Sequence, residues 1–383
     1  MTDNSKLNFD GKVNNINIVA AVVLLLALPL SESIKNISLY AVLLPVFLYN
    51  LYARNIRIKM TSLHYGYLLL FLVSCVTAFF AHNKNEAIKG IHDVLRYTVT
   101  FFVFLGFCKK REVNLLLWSF FTSTGIAVIY GIYDSFYAHT AMSVPALGHY
   151  NYTAMYLIIS ATVMLSMIVH GGKKNKLITA VLFFLLSITL AASVMTTMRT
   201  SFIALALFIV VLLEGKKSTS KHILIIFLFV VMLFTALYFY KPMWDKLLST
   251  TSLTYRIEIW KYALTEFKGN FLIGVGLNNF RFTLPVWMDG GRIVCDAHSL
   301  YLNTAAQTGF VGLTSLILIM YGFMKTWNLF DAVSGYEKTV KYGAMGAFLV
   351  IFASGFLDTT LHHKQAMEFA ILSALMADCA SRT

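Results

Sequence analysis

The stretch Cys295-Asp-Ala-His-Ser-Leu-Tyr-Leu-Asn-Thr-Ala-Ala-Gln-Thr-Gly-Phe-Val-Gly-Leu313 begins as a polar loop and runs unbroken into Thr314-Ser-Leu-Ile-Leu-Ile-Met-Tyr-Gly-Phe-Met324. From His298 to Met324 it contains no Asp, Glu, Lys or Arg. A hydrocarbon core of about 30 Å needs roughly 20 helical residues, so the run is long enough to cross a membrane and carries a histidine at its mouth. Working outward, similar runs recur at 17–30, 34–52, 63–82, 92–108, 114–136, 152–170, 177–195, 199–214, 222–240, 342–358 and 365–380. With 298–324 they make about twelve predicted spans by the same length criterion.

Composition agrees. The 383 residues are 58% hydrophobic with only 5 prolines, and the mean hydropathy is +0.70. These values exclude a water-soluble multidomain protein and define an all-α integral membrane protein. Positive charge alternates along the chain: Arg54, Arg57 and Lys59; Lys109, Lys110 and Arg111; Lys173, Lys174 and Lys176; Lys216, Lys217 and Lys221; Lys325, Lys338 and Lys341 occupy every second loop. Cytoplasmic loops retain Lys and Arg, which predicts cytoplasmic N- and C-termini. Lys6 and Lys12 precede the first segment in the manner of a signal peptide, but the expectation is an uncleaved anchor. The net charge of +13 is thus a record of topology rather than a nucleic-acid footprint. The four cysteines are scattered, with no CxxC spacing, and neither a phosphate-binding G-x-x-x-x-G-K-[ST] loop nor an H-E-x-x-H pair is present.

The spans divide the chain into 1–240, with nine of them, a long connection 241–297 predicted to lie outside, and 298–383 with three more. Long connections are usually functional. Within this one, 254–268 reads as an amphipathic helix with Ile257, Trp260, Ala263, Leu264 and Phe267 on one face. Gly269-Asn270 and Gly274-Val-Gly276 end it, and Asn278-Asn-Phe-Arg281 starts a short helical turn. Arg256 projects about 40° from the centre of the apolar face, toward membrane or protein. It is either a side chain reaching back to the headgroups or a guanidinium held for a phosphate. Arg199, in a short outer turn among Thr196, Thr197, Thr200 and Ser201, runs against the charge trend and suggests an anion site at a helix start, with an interfacial anchor as the plain alternative. Arg96, near the outer end of segment four, is a third candidate; Asp358 is an equally good structural partner for it.

If 298–324 is one straight helix, Leu302, Ala305, Gly309 and Gly312 lie within about 40° of the direction of His298. That mostly small stripe predicts close packing against a neighbour. His298 then stands at the wet end, either bonded to a loop carbonyl or acting as a general base beside arginines that receive a phosphate-bearing leaving group.

About twelve spans, one large outer connection, and His298-Ser299 followed after nine residues by Gly309-x-x-Gly312 resemble the O-antigen ligase family of lipopolysaccharide assembly. Met198-Arg199-Thr200-Ser201, Tyr255-Arg256-x-x-x-Trp260, Gly274-x-Gly276-x-Asn278-x-Phe280 and Gly148-His-Tyr-Asn151 match other recurring stretches of that family. The resemblance covers roughly 60–360. It implies a GT-C-like glycosyltransferase of the bacterial inner membrane that moves O-antigen polysaccharide from undecaprenyl pyrophosphate to a sugar hydroxyl of lipid A-core. The reaction is implied to run on the periplasmic side, with no cofactor or metal. It implies His298 as the base, Arg199 and Arg256 on the donor pyrophosphate, and Arg96, Asp358 and Asn151 as further substrate-binding candidates, the match at Asp358 being loose. O-antigen polymerases and other oligosaccharide ligases share the signature. A transporter is a reading of another class, but the halves show neither an internal repeat nor paired broken helices.

Overall fold

The computed structural model describes residues 3–53, 55–56, 58–138, 141–171, 175–196, 198, 200–214, 251–283 and 296–382. Helices dominate, and no strand occurs among these residues. In chain order they are α1 (Asp3–Ala27), α2 (Glu32–Asn36), α3 (Leu44–Tyr52), α4 (Ser62–Phe80), α5 (Lys84–Val103), α6 (Lys110–Ala138), α7 (Tyr150–His170), α8 (Lys176–Met195), α9 (Thr200–Glu214), α10 (Thr251–Gly269), α11 (Leu300–Leu329), α12 (Gly335–Ser354) and α13 (His363–Ala380). Six stretches among the described residues are long and apolar enough to cross a membrane: Glu32–Tyr52, Ser62–Phe80, Lys110–Tyr137, Tyr150–His170, Lys176–Met195 and Leu300–Leu329. Gly11–Ala27 and Thr200–Leu212 are shorter apolar helices. The first of the six is not uniform. Ile37–Leu43 is a π-helix between α2 and α3, and Pro45 in the first turn of α3 has no N–H and crowds the preceding turn, which the wider π turn relieves.

α7 forms the centre. Its residues are buried nearly all round, as expected for a helix that is apolar on every face, and α6, α8, α9, α12 and α13 pack about it. Its hydroxyls are satisfied locally: Thr162 donates to the Ile159 carbonyl at 2.7 Å and Ser166 to the Thr162 carbonyl at 2.8 Å, while Ser160 meets Thr124 of α6 at 2.9 Å. Lipid tails offer little hydrophobic gain, so close approach of backbones holds such helices together. α4 and α11 show this most directly. A Cβ on Gly322 would stand 2.2 Å from the Leu63 nitrogen, and one on Gly66 would stand 2.7 Å from Ile319.

The straight helix expected over 298–324 is not found. α11 starts at Leu300, and Gly309 inside it has φ 66° and ψ −162°, which breaks the helix. An unravelled backbone at membrane depth must be bonded elsewhere, and the segment after α10 does this. Val275 N–H donates to the Ala306 carbonyl at 2.9 Å and Gly276 N–H to Gln307 at 2.9 Å, while Phe310 N–H donates to the Phe271 carbonyl at 2.7 Å. A Cβ on Gly309 would lie 2.4 Å from the Leu272 backbone. Gly309 is therefore a docking point for a chain segment rather than one member of a small-residue stripe, because left-handed φ is open to glycine at little cost.

The amphipathic helix is present as α10, but its protein-facing side is rotated from the expectation. Ile259 and Ala263 are buried, with Tyr255 beside them, against Phe280, Ala297, Leu302 and Ala306. Ile257 and Leu264 are exposed. The apolar residues on two sides of α10 reflect two apolar surroundings, so the face with the most apolar residues is not the face that meets protein.

Candidate functional site

The site is built where the start of α11 meets the connection between α12 and α13. Ser299 caps α11 in an extended conformation, and the Leu300 N–H donates to the carbonyls of Gly355 at 2.7 Å and Asp358 at 3.0 Å. Ser299 Oγ donates to the Gly355 carbonyl at 3.4 Å. The orphan N–H groups of a helix start thus fasten the two segments together. His298 precedes the cap and has φ 46°, uncommon for a residue with a Cβ and costly unless its surroundings hold it. The holding group is Asp296. Its Oδ1 accepts from the His298 backbone N–H at 2.8 Å and from Thr359 Oγ1 at 2.9 Å, and it lies 3.5 Å from His298 Nδ1. The imidazole itself is 36% exposed, enough to meet a substrate.

A polar chain holds the loop from below. Asn303 Oδ1 accepts the Ala297 N–H at 3.1 Å and Gln307 Nε2 at 3.0 Å. Gln307 Oε1 in turn accepts the N–H of Asn278, which has φ 56°. The segment that fills the helix break is therefore wired to the residue next to His298.

Asp358 stands on the other side of the same loop and is buried. Its carboxylate accepts Asn151 Nδ2 at 2.7 Å and the Thr359 N–H at 2.9 Å. Burial pushes this carboxyl up to about 6, and Asp296 adds in the same direction; His298, the Thr359 N–H and Arg256 pull it back. Arg256, half-buried on α10, donates from Nη1 to the neighbouring Leu357 carbonyl. Four of the six candidates, His298, Arg256, Asp358 and Asn151, are thus gathered at one loop.

Arg96 is elsewhere. It faces Asp93 at 3.4 Å and Glu32 at 4.0 Å, so the expected pairing with Asp358 is replaced by carboxylates one helical turn away and on α2. Arg199 lies outside the described residues, although the backbone carbonyl of the adjacent Thr200 accepts Ser354 Oγ at 3.2 Å. Sequence reading missed the structural role of Asp296, and it missed Thr359, Asn303 and Gln307. Asp296 did offer a signal, since an Asp two residues before a histidine is an Asx-turn pattern.

No curated protein matches the chain. Residues 181–317 match the family model for O-antigen ligase, a stretch that includes α10, the docking segment after it and the break in α11. The part of this membrane protein that carries Arg256 and His298 is thus similar to the O-antigen ligase family.

Proposed function

We propose that the protein is an O-antigen ligase, transferring O-antigen polysaccharide from undecaprenyl pyrophosphate to a sugar hydroxyl of lipid A-core on the periplasmic side of the inner membrane. The observation that carries the reading is His298, held in a left-handed conformation by Asp296 and exposed beside Arg256 and Asp358. Asp296 near Nδ1 favours the tautomer that keeps the proton there, which leaves Nε2 to accept one. In the transfer, Nε2 takes the proton of the acceptor hydroxyl as the oxygen forms a bond to the anomeric carbon. The bond from that carbon to the phosphate oxygen breaks, and undecaprenyl pyrophosphate leaves with both electrons. One in-line displacement inverts the anomeric centre. Asp296 and Asp358 favour the imidazolium that develops, and Arg256 with Arg199 balances the departing charge. Arginine fills the role that a divalent cation has in many such enzymes, so activity is expected to persist in chelator.

The reading includes twelve spans, a GT-C-like architecture, cytoplasmic termini and an outer connection 241–297. The three blocks 1–240, 241–297 and 298–383 form one membrane domain in it. The test is the lipopolysaccharide of a deletion strain. Accumulated lipid-linked O-antigen with bare core is expected. Single units attached to core with chain length lost would point to a polymerase instead, and unaltered lipopolysaccharide would overturn both. In the complemented strain, His298→Ala is expected to abolish transfer while the protein still inserts and binds donor.

A further inference from the structure

A second charged cluster lies at the same end of the bundle, and the chemistry above does not use it. Three cations converge on one carboxylate. Lys35 Nζ of α2 is 2.5 Å from Glu32 Oε2, Arg96 Nη1 of α5 is 4.0 Å from that oxygen, and Lys364 Nζ of α13 contacts Glu32 Oε1. The cations are the fixed, buried members: the Lys35 and Lys364 side chains are 0% and 6% exposed, whereas that of Glu32 is 44% exposed. Asp93 is the other acid present, 3.4 Å from Arg96 and 3.6 Å from His362 Nε2. Three basic side chains, Lys35, Arg96 and Lys364, thus face two acidic ones, Glu32 and Asp93. Arg96 Nε has no partner among the described residues. Buried charge that its neighbours do not balance is costly and calls for a counter-ion.

We propose that Lys35, Arg96 and Lys364 form an anion subsite for a phosphate group of the lipid-borne acceptor, with the exposed Glu32 carboxylate occupying the place that the phosphate takes. Position argues for the acceptor. A cavity of about 70 Å³ is walled by Asp93 and His362 on the cluster side and by Thr359, Asn303 and Gln307 on the other. Thr359 bonds Asp296, which holds His298. The cluster thus shares a wall with the loop of the base, on a different set of helices from Arg256. This placement rests on the ligase reading, in which Arg256 takes the donor. Recognition of a phosphate by two ammonium groups and a guanidinium requires only the chemistry present.

The experiment uses the full-length protein in nanodiscs and measures direct binding of lipid A-core, with its phosphates and after dephosphorylation, so that no turnover is needed. Wild type is expected to favour the phosphorylated form. Lys35→Gln and Lys364→Gln are each expected to weaken that binding about tenfold, a loss in the range of charge-assisted hydrogen bonds, and to leave the dephosphorylated form unaffected. Glu32→Gln removes the competing carboxylate and is expected to tighten binding, a gain that misfolding does not produce. Equal affinity for both forms, or weakened binding in Glu32→Gln, would overturn the proposal. Two further arms separate the sources of the phosphate. Competition by phosphatidylglycerol as strong as by lipid A-core would assign the cluster to bulk headgroups, and loss of undecaprenyl pyrophosphate binding in the Lys variants would assign it to the donor; either result overturns the acceptor assignment. Phosphate-dependent binding together with unaltered lipopolysaccharide in the deletion strain would keep this subsite and sink the ligase reading.

Discussion

His298 and Arg256 were legible as single residues because a charge or an imidazole on an apolar background needs a reason, and two of them at positions predicted to lie on one side narrow the reasons. Asp358 was legible only as a loose match. What makes it unusual is its surroundings: beside the adjacent Thr359 stand Asn151 and Asp296, which come from two distant parts of the chain. Its titration has a definite sign. The folded state holds the proton of Asp358 up to about pH 6, while an unfolded chain releases it near the ordinary carboxylate value. Between those pH values the folded state binds more protons, so the stability contributed by this group is greatest at low pH and is lost as pH rises through about 6. Asp358→Asn is expected to flatten that part of the profile, read as the melting temperature in detergent from pH 4 to 7; an unchanged slope would show that another group sets it. Arg256 offers a second check. Arg256→Ala is expected to raise the donor KM, and Arg256→Lys is expected to restore it only in part, because a single ammonium cannot hold the Leu357 carbonyl and a pyrophosphate in the fork of a guanidinium. Full restoration by Lys would remove the clamp from the mechanism.

Helix periodicity located α10 and α11 but misjudged what each does. The 100° arithmetic assumes an unbroken helix, and α11 is broken at Gly309 by a segment that follows α10 by only a few residues. Nothing in a periodic pattern announces a tertiary partner of that kind. The buried side of α10 likewise keeps the expected Ala263 but takes Ile259 in place of Ile257 and Leu264. Gly309→Ala is expected to be severely destabilising, by about 2 kcal/mol or more, since it combines left-handed φ with a backbone clash; thermal unfolding and yield of folded protein would report it. Gln307→Leu tests the wiring above the break. It leaves the Asn278 N–H without its acceptor, at about 1–3 kcal/mol for a buried donor, and is expected to lower transfer by loosening the loop of His298 while donor binding survives. Full activity in a destabilised protein would separate the wiring from the base.

For the whole molecule, hydropathy revealed a helical membrane bundle, but not which helix is central. α7 is distinguished by burial on all sides, and in sequence its apolar run looks like the lipid-facing ones. Packing at the end opposite His298 is also open to test. Cys108, just after α5, and Cys379, in the last turn of α13, are both buried with their sulfurs 2.7 Å apart. Mild oxidation of the purified protein is expected to link them, and peptide mapping would show the 108–379 cross-link; pairing of either with Cys75 instead would contradict this helix arrangement. The break in α11 has a consequence for chain length. Nine residues separate Ser299 from Gly309, a rod of about 13 Å at 1.5 Å per residue. It acts as a gauge that sets how far the half-exposed histidine stands from the seat of the docking segment. Adding one residue to that rod would turn its upper end by about 100° and lift it by about 1.5 Å, so a single insertion between 300 and 308 would aim His298 away from Asp358 and Arg256 with every side chain of the site still in place.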